Sequence, residues 1–139
     1  MSTAEDSSSG KIRCIVVTPE SSVINMKVDS VALPMEDGSL GVLPGRTPLI
    51  GRLGFGELRL RTGTKVQNYY IDGGFVQVVR DTVTVLTEQA LLPAQVDLEK
   101  AKKSLEESIG SASTVDEQNA NYRKGERARS QIRFVESNQ

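Results

Sequence analysis

The chain has 139 residues, which is enough for one domain with its own hydrophobic core and a smaller appendage. Seventeen basic and eighteen acidic residues give a formal net charge of −1, so the chain offers no general electrostatic attraction to nucleic acid or to an anionic membrane surface. It has no histidine and one cysteine, which excludes an internal disulfide and removes the commonest general base and the commonest zinc ligand. Composition therefore argues against a metal site and against catalysis by this chain alone.

The first segment, residues 1–10, is polar and rich in serine. It lacks the basic start and the apolar run of a secretion signal, and we expect it to be disordered. No later stretch approaches the roughly 20 apolar residues that a membrane-spanning helix needs. The sequence therefore predicts neither a signal peptide nor a transmembrane segment.

Residues 11–93 are typical of an all-β antiparallel sandwich, because short apolar or alternating runs are separated by turn residues. The first two strands are predicted at residues 12–17 and 23–28, and Cys14 is expected to be a small buried hydrophobe. A later run, residues 57–61, alternates leucine with charged side chains, which places the leucines inward and the charges in water. With 4% aromatic residues and no tryptophan, the core must consist mainly of valine, leucine and isoleucine.

Residues 38–51 contain four glycines and two prolines and cannot form a helix. Pro44 and Gly45 suit a turn in which proline fixes the first φ and glycine takes the positive one. We expect this turn to join two short strands. The apolar side chains of the segment are expected to be buried, and they are Leu40, Val42, Leu43, Leu49 and Ile50. From the residues alone, the segment is a structural corner of the β domain.

Three turn signals follow and predict consecutive hairpins. They lie at residues 62–64, at Asp72-Gly73-Gly74 and at Arg80-Asp81. The last of the connected strands is predicted at residues 83–86. Hairpins that follow one another in this way give antiparallel sheets.

Composition changes after Pro93, where strand signals give way to helix formers, so residues 94–139 are predicted to form a helix-turn-helix. The first helix is predicted from residue 95 or 97 to residue 109, and the second from residue 115 to about residue 135, with Thr114 as its cap. Their apolar stripes are narrow and consist of Leu98, Ala101, Leu105 and Ile109 on the first helix and Ala128, Ile132 and Val135 on the second. Because these side chains are mostly small, we expect weak docking. The helix pair is either a permanently packed tail or a detachable switch.

The run GSLGVLPGRTPLIG at residues 38–51 resembles a signature of the epsilon subunits of F-type ATP synthases. The runs YYIDGGFVQV at residues 69–78 and VTVLTEQA at residues 83–90 are similar to later strands of the same family, so the resemblance covers nearly the whole chain after residue 10. The matching signature positions are Gly41, Pro44, Gly45, Arg46, Pro48, Gly73 and Gly74. Arg46 stands where the family usually has histidine, and it keeps hydrogen-bonding capacity without titrating near neutral pH.

This resemblance implies a non-catalytic subunit of the central stalk that transmits torque and restrains ATP hydrolysis. Its sandwich, residues 11–93, is expected to bind the gamma subunit and the c-ring. The resemblance assigns the c-ring contact to a polar loop of Glu36, Asp37, Gly38 and Ser39, which from the residues alone is a solvated turn. The subunit is expected at the cytoplasmic face of the energy-transducing membrane as a peripheral protein, without entering the bilayer and without binding nucleic acid.

Basic side chains flank the apolar stripe of the second helix, and they are Arg123, Lys124, Arg127, Arg129 and Arg133. From the residues alone they form a solvated helix face. The resemblance implies a regulatory role, in which the helix extends along the stalk and these cations contact acidic segments of the catalytic alpha and beta subunits. Such contacts block rotation in the hydrolysis direction.

Some bacterial members of the family bind one ATP at the helical hairpin through a motif of isoleucine or leucine, aspartate, two variable positions, arginine and alanine. The matching positions here are Asp97, Lys100 and Ala101, and lysine lacks the forked donors of arginine. There is no glycine-rich phosphate loop of the GxxxxGK(S/T) type, so no cofactor is expected beyond a regulatory ATP. One alternative function stays open, a free-standing sandwich that binds a small molecule under a helical lid.

Overall fold

The structure is a computed structural model that describes residues 10–108 and 115–138, with side chains described at all of these except 115–121. The segment predicted to be disordered lies outside the described residues apart from Gly10, and so do Ile109 and Thr114. Within the described ranges the chain forms β1 (Ile12–Val17), β2 (Ser22–Val28), β3 (Ser30–Met35), β4 (Gly38–Val42), β5 (Leu49–Thr62), β6 (Lys65–Val79), β7 (Thr82–Leu86), β8 (Ala90–Leu91), a 3₁₀ turn (Pro93–Gln95), α1 (Leu98–Ser108) and α2 (Val115–Ser137).

The strands form a continuous sheet that folds over into a sandwich, in the order β2-β1-β7-β6-β5-β3-β4, with β8 paired to β6. The long hairpin of β5 and β6 keeps one register from the Leu49–Val78 pair to the Thr62–Lys65 pair. One end of this hairpin pairs with β7 and the other end pairs with β3, so the hairpin belongs to both layers. The predicted all-β sandwich followed by two helices is confirmed, although β1 and β7 are parallel neighbours within it.

The chain does not reverse at Asp72-Gly73-Gly74, and that prediction is wrong, because β6 continues through these residues and Asp72 pairs with Phe55 of β5. Gly73 and Gly74 have positive φ angles of 68° and 113°, which bend the strand without ending it. A side chain at Gly74 would overlap the carbonyl oxygen of Leu86, so the close approach of β7 requires glycine there. This bend lets one hairpin contribute to both layers of the sandwich.

The other two predicted reversals are present. Gly63, with φ of 60°, lies in the tight turn between β5 and β6. Arg80 and Asp81, with φ of 51° and 60°, form the turn between β6 and β7. Two successive positive φ angles match the right-handed twist of the strands that such a turn connects.

The core between the two layers is aliphatic, as predicted. Cys14 is fully buried, and Leu58 and Leu60 face the core while Arg59 and Arg61 remain exposed. Each large aliphatic side chain buried in this way stabilises the fold by about 1.5–3 kcal/mol.

Two apolar residues of the turning segment are exposed, contrary to the prediction. Leu43 is 61% exposed because it follows the end of β4, and Ile50 is 76% exposed. Ile50 pairs with Gln77 on the outer face, whereas the inward position belongs to Gly51, which lies against the side chains of Met35 and Val76. The rest of the predicted set is buried or half-buried, namely Val42, Leu40 and Leu49.

Helix α2 packs on the outer face of β5 and β6, and α1 packs against α2. Both helices lie close to their predicted limits. They are antiparallel, because Gly125 lies against Ser108 at the end of α1, while Gln131 shares a cavity with Ser104, one turn further back. Over the described residues, neither helix combines the length and the apolar character needed to cross a membrane.

Candidate functional site

A small apolar cluster, separate from the main core, holds α2 against the sandwich. Tyr70 of β6, Val96 and Phe134 of α2 are buried in it. The rings of Tyr70 and Phe134 lie 6.1 Å apart between centroids with an angle of 55° between their planes. Phe55 and other half-buried side chains pack around these three. A tilted aromatic pair adds about 0.5–1.5 kcal/mol beyond the burial of its area, so this contact is a main part of the attachment of α2.

A buried carboxylate lies beside this cluster. Asp72 of β6 is 9% exposed, and its Oδ1 accepts a hydrogen bond of 3.0 Å from Nε of Arg127 on α2. The Arg127 guanidinium also lies 5.3 Å from the centroid of the Phe55 ring, a cation–π contact. Burial raises the pKa of Asp72, the attraction and hydrogen bond of Arg127 oppose the rise, and Glu88 adds to it. The pair therefore joins α2 to the sandwich at the cost of removing a carboxylate from water.

Amide groups attach the end of α2. Nδ2 of Asn138 donates a hydrogen bond of 2.8 Å to Oε2 of Glu57, and Oδ1 of Asn138 accepts one of 2.5 Å from Nδ2 of Asn68. Nδ2 of Asn138 also donates to the carbonyl oxygen of Phe134, at 2.8 Å. These bonds fix the last turn of α2 over the hairpin of β5 and β6.

The two helices approach each other closely at Gly125. A Cβ at this position would lie 2.8 Å from Oγ of Ser108, so any larger residue requires Ser108 to move. Directly beside this contact, Nζ of Lys124 forms an ion pair with Glu107 and holds the pKa of that exposed carboxyl below its usual range. An exposed pair of this kind adds little stability, so close packing is the main contact between the helices here.

The five basic residues predicted to be inhibitory all lie on α2 but differ in their surroundings. Three of them have acidic partners, which are Glu107 for Lys124, Asp72 for Arg127 and Glu126 for Arg129. Arg123 and Arg133 are exposed. Arg127 therefore contacts the sandwich, whereas Arg129 pairs within its own helix at 3.0 Å.

A cavity of about 400 Å³ lies between α1 and α2. Its lining consists of Ser104, Arg123, Lys124, Arg127, Ala128 and Gln131. Three cations line this cavity, and two of them are also paired with carboxylates, Lys124 with Glu107 and Arg127 with Asp72.

The positions matched to the nucleotide motif lie at the start of α1. Oδ1 of Asp97 accepts a hydrogen bond of 3.0 Å from the backbone nitrogen of Lys100, which makes Asp97 the N-terminal cap of the helix. Ala101 is buried, and the side chain of Lys100 is exposed. Lys100 precedes Ser104 of the cavity by one helical turn, so the motif lies next to the cavity lining rather than in it.

Strand β4 has the predicted c-ring loop at one end and the turn of the family signature at the other. At the turn from β3 and the start of β4, Glu36, Asp37, Gly38 and Ser39 are all exposed. At the other end, Gly45 has φ of 86° and its backbone nitrogen donates a hydrogen bond of 2.7 Å to Oδ1 of Asp81. The other signature residues here are exposed, namely Gly41 within β4 and Pro44, Arg46 and Pro48 after it. A strand of five residues spans roughly 15 Å, so the loop and the turn belong to two separate surfaces.

An apolar patch, called the outer patch below, covers part of the outer face of β5, β6 and β7. Its members are Ile50, Phe75 and Leu86, of which the last two are each 52% exposed. Phe75 pairs with Leu86 on one side and with Arg52 on the other, and the Arg52 guanidinium lies 5.5 Å from the centroid of the Phe75 ring. Exposed apolar patches rimmed by polar groups mark sites of protein contact.

Three residues of the helix attachment, Asp72, Phe134 and Asn138, are not predicted from the sequence as contacts of α2. The two glycines that follow Asp72 predict a turn there, which hides its position within β6. Phe134 lies beside the predicted stripe, and a single phenylalanine on a polar helix was a signal available in the sequence. Asn138 has no comparable signal, because its partners Glu57 and Asn68 are distant in the chain.

Residues 11–93 match the family model described as ATP synthase, Delta/Epsilon chain, beta-sandwich domain. The chain is 50% identical over 107 residues to the ATP synthase epsilon chain of Rhodopirellula baltica, which covers 77% of this chain and 84% of that protein. It is 38% identical over 97 residues to the ATP synthase epsilon chain of Leptospira borgpetersenii, with 70% and 76% covered. A chain in the mitochondrial ATP synthase structure of Euglena gracilis, which contains OSCP, F1 and the c-ring, matches with a TM-score of 0.75 and 26% identity over 93% of this chain and 81% of its own.

Proposed function

Because this chain belongs to the delta/epsilon family of ATP synthase subunits, we propose that it acts as a non-catalytic adaptor of the central stalk. In this proposal the sandwich binds the rotor and the helix pair restrains ATP hydrolysis. Family membership favours this function over a free-standing sandwich that binds a small molecule under a helical lid.

One observation supports the inhibitory role most directly. Helix α2 carries the five candidate cations, and its apolar attachment to the sandwich is a cluster that shares no buried residue with the main core. Helix α2 can therefore leave the sheet while the sandwich stays folded. In the released state the cations are available to acidic segments of the alpha and beta subunits.

Deletion of residues 97–139 tests this role. We expect the truncated chain to assemble with the gamma subunit and to raise the ATP hydrolysis rate of the reconstituted enzyme. A matched variant keeps the helices and changes the five cations to glutamine, and it should raise hydrolysis in the same direction. If neither change alters hydrolysis while assembly is normal, α2 is not inhibitory and only the adaptor role remains.

The outer patch is the surface that we assign to the gamma subunit. Ile50, Phe75 and Leu86 are apolar and exposed, and they lie on the paired neighbouring strands β5, β6 and β7. Burial of exposed aromatic and aliphatic side chains supplies most of the energy of such contacts.

The loop of Glu36, Asp37, Gly38 and Ser39 is the surface that we assign to the c-ring. Its exposed polar residues suit the hydrophilic loops that such a ring presents outside the bilayer. This contact would hold the chain at the cytoplasmic face of the energy-transducing membrane as a peripheral protein, without insertion into the bilayer.

A regulatory ATP is a second candidate function, favoured by the cavity between α1 and α2. Arg123 lines the cavity beside Lys124 and Arg127, which would exchange their carboxylate partners for a phosphate group, and Lys100 lies one turn from Ser104 of the lining. Calorimetric titration of the full chain with ATP should give binding heat that falls in Arg123→Ala and in Lys100→Ala. The absence of heat from the unaltered chain would contradict nucleotide binding.

A further inference from the structure

Asp72 and Arg127 differ in how much each depends on their ion pair, because one is buried and the other is half-exposed. Asp72 is fixed by β6 and is 9% exposed, whereas the side chain of Arg127 is 52% exposed. An ionised carboxylate has about four acceptor positions, and over the described part of the chain Arg127 supplies its one side-chain hydrogen bond. Asp72 therefore depends on Arg127 for compensation of its charge, while Arg127 can still be solvated by water.

Loss of either partner would affect the docked helix differently. Without Arg127, Asp72 becomes a buried charge with no opposite charge beside it, which is costly until α2 leaves and water reaches the carboxylate. Without the charge of Asp72, Arg127 keeps its contact with Phe55 and its access to water. The rise in the pKa of Asp72 agrees with this, because the attraction of Arg127 does not fully offset the effect of burial.

We infer that Asp72 and Arg127 form a release trigger, in which α2 stays docked only while Arg127 remains beside Asp72. The inference rests on the proposed function, in which α2 moves to acidic segments of a partner subunit. A partner carboxylate approaches the exposed side of the Arg127 guanidinium and takes over its charge pairing. Asp72 is then left buried and uncompensated, and the docked arrangement is no longer favourable.

The trigger acts together with the other two attachments of α2. The Tyr70–Phe134 cluster and the bonds of Asn138 contain no ionised pair and are not changed when Arg127 is drawn away. They define where α2 sits when docked, whereas Asp72 makes docking sensitive to a partner of acidic character.

Amide hydrogen exchange in residues 128–134 of the full chain measures the opening of α2. Arg127→Gln should speed exchange by at least about tenfold, because it leaves the buried carboxylate alone. Asp72→Asn should exchange as slowly as the unaltered chain or more slowly. The double variant Asp72→Asn with Arg127→Gln should return to within about threefold of Asp72→Asn, since the uncompensated charge is gone.

Arg129→Gln is the matched control, because it makes the same change on the same helix at a residue that pairs with Glu126 and not with the sandwich. Its exchange rates should equal those of the unaltered chain. An equal increase in the exchange rates of Asp72→Asn and Arg127→Gln would overturn the trigger, because the pair would then be an ordinary ion pair that stabilises docking through both partners alike. Failure of Asp72→Asn to rescue Arg127→Gln would overturn it as well.

ATP hydrolysis by the reconstituted enzyme distinguishes failure of this inference from failure of the proposed function. With Asp72→Asn, α2 should stay docked when a partner draws on Arg127, so ATP hydrolysis should rise above that of the unaltered enzyme. If deletion of residues 97–139 leaves hydrolysis unchanged, the proposed inhibition fails, while the exchange rates of the isolated chain still decide the trigger. If deletion raises hydrolysis and the exchange pattern is symmetrical, inhibition stands and the trigger fails.

Discussion

The backbone nitrogen of Gly45 donates a hydrogen bond of 2.7 Å to Oδ1 of Asp81, and this bond joins the turn after β4 to the turn between β6 and β7. The carbonyl oxygen of Asp81 also accepts a bond of 2.9 Å from the backbone nitrogen of Arg13, next to the start of β1. One residue thus ties three segments together at this end of the sandwich. The turn that presents Arg46 is positioned by a side chain far along the chain rather than by its own sequence alone.

Asp81→Ala should lower the free energy of unfolding by about 1–3 kcal/mol, because it removes this bond and places alanine at a positive φ. Asp81→Asn is the matched control, since asparagine keeps an acceptor oxygen and tolerates the same φ. Denaturant unfolding of both variants measures the difference. Equal destabilisation by the two substitutions would show that the charge of Asp81, and not the bond to Gly45, is what matters.

Gly74→Ala should destabilise the sandwich by more than about 2 kcal/mol, since the new Cβ overlaps the carbonyl oxygen of Leu86 and the backbone has φ of 113°. Gly63→Ala is the comparison, because that position also has a positive φ of 60° but is open to space. It should cost about 1 kcal/mol. Thermal unfolding measures both variants. Equal melting temperatures for Gly74→Ala and Gly63→Ala would contradict the close approach of β7 to Gly74.

Phe75→Ala should weaken binding to the gamma subunit by at least about tenfold, because it removes the aromatic centre of the outer patch. The half-exposed ring contributes little to the core, so the melting temperature should change little. Val66→Ala is the control, as Val66 is similarly exposed near the turn between β5 and β6, away from the patch. Equilibrium binding of purified gamma distinguishes the variants, and equal affinities would remove the outer patch from the interface.

The double change Glu36→Lys with Asp37→Lys should reduce ATP synthesis driven by a proton gradient, because it reverses the charge of the loop assigned to the c-ring. Both side chains are exposed, so folding should be unaffected. Glu20→Lys reverses an exposed charge in the turn between β1 and β2 and serves as the control. Normal coupling in the double variant would mean that the loop faces solvent in the assembled enzyme.

Docking of α2 should weaken as the pH rises through the raised pKa of Asp72. In the undocked state the carboxyl is in water and titrates near its ordinary value of 3.8, whereas burial raises its pKa in the docked state. The docked state therefore holds the proton more tightly. The added stability is complete below 3.8 and is lost as the pH rises through the raised value.

Amide exchange in α2, measured as a function of pH and compared with Asp72→Asn, tests this dependence. Besides Arg127, the ionisable groups near the carboxyl are Glu88 and Tyr70. Glu107 acts in the opposite sense, since its pKa is lowered by Lys124 and its contribution is lost as the pH falls. The contribution of Glu107 is the same in the unaltered chain and in Asp72→Asn. If the difference between their exchange rates did not change with pH, the pH dependence could not be assigned to Asp72.

Local patterns predicted much of the β architecture. Alternation correctly placed Leu58 and Leu60 in the core, and apolar neighbours correctly indicated the burial of Cys14. Composition likewise located both helices. These features depend on neighbours a few residues apart, which is the range over which a sequence pattern carries information.

Features that depend on distant contacts were not predictable in this way. Gly73-Gly74 reads locally as a turn, but the partner strand and the carbonyl of Leu86 make it a bend within β6. Ile50 satisfies every local criterion for burial and is exposed because Gly51 takes the inward position. Asp72 and Arg127 are 55 residues apart, so the sequence shows the charges without showing their pairing.

Strand β1 is synthesised before the other strands of the sandwich, yet one of its two neighbours in the sheet is β7, which ends at Leu86. A parallel pair of this separation cannot form while the intervening chain is still inside the ribosome. The nascent chain therefore exposes an unpaired edge of β1 until β7 has been synthesised, a period when a chaperone or a neighbouring nascent strand can bind it. Helices α1 and α2 follow all eight strands in the chain, so they emerge when the sandwich can already close.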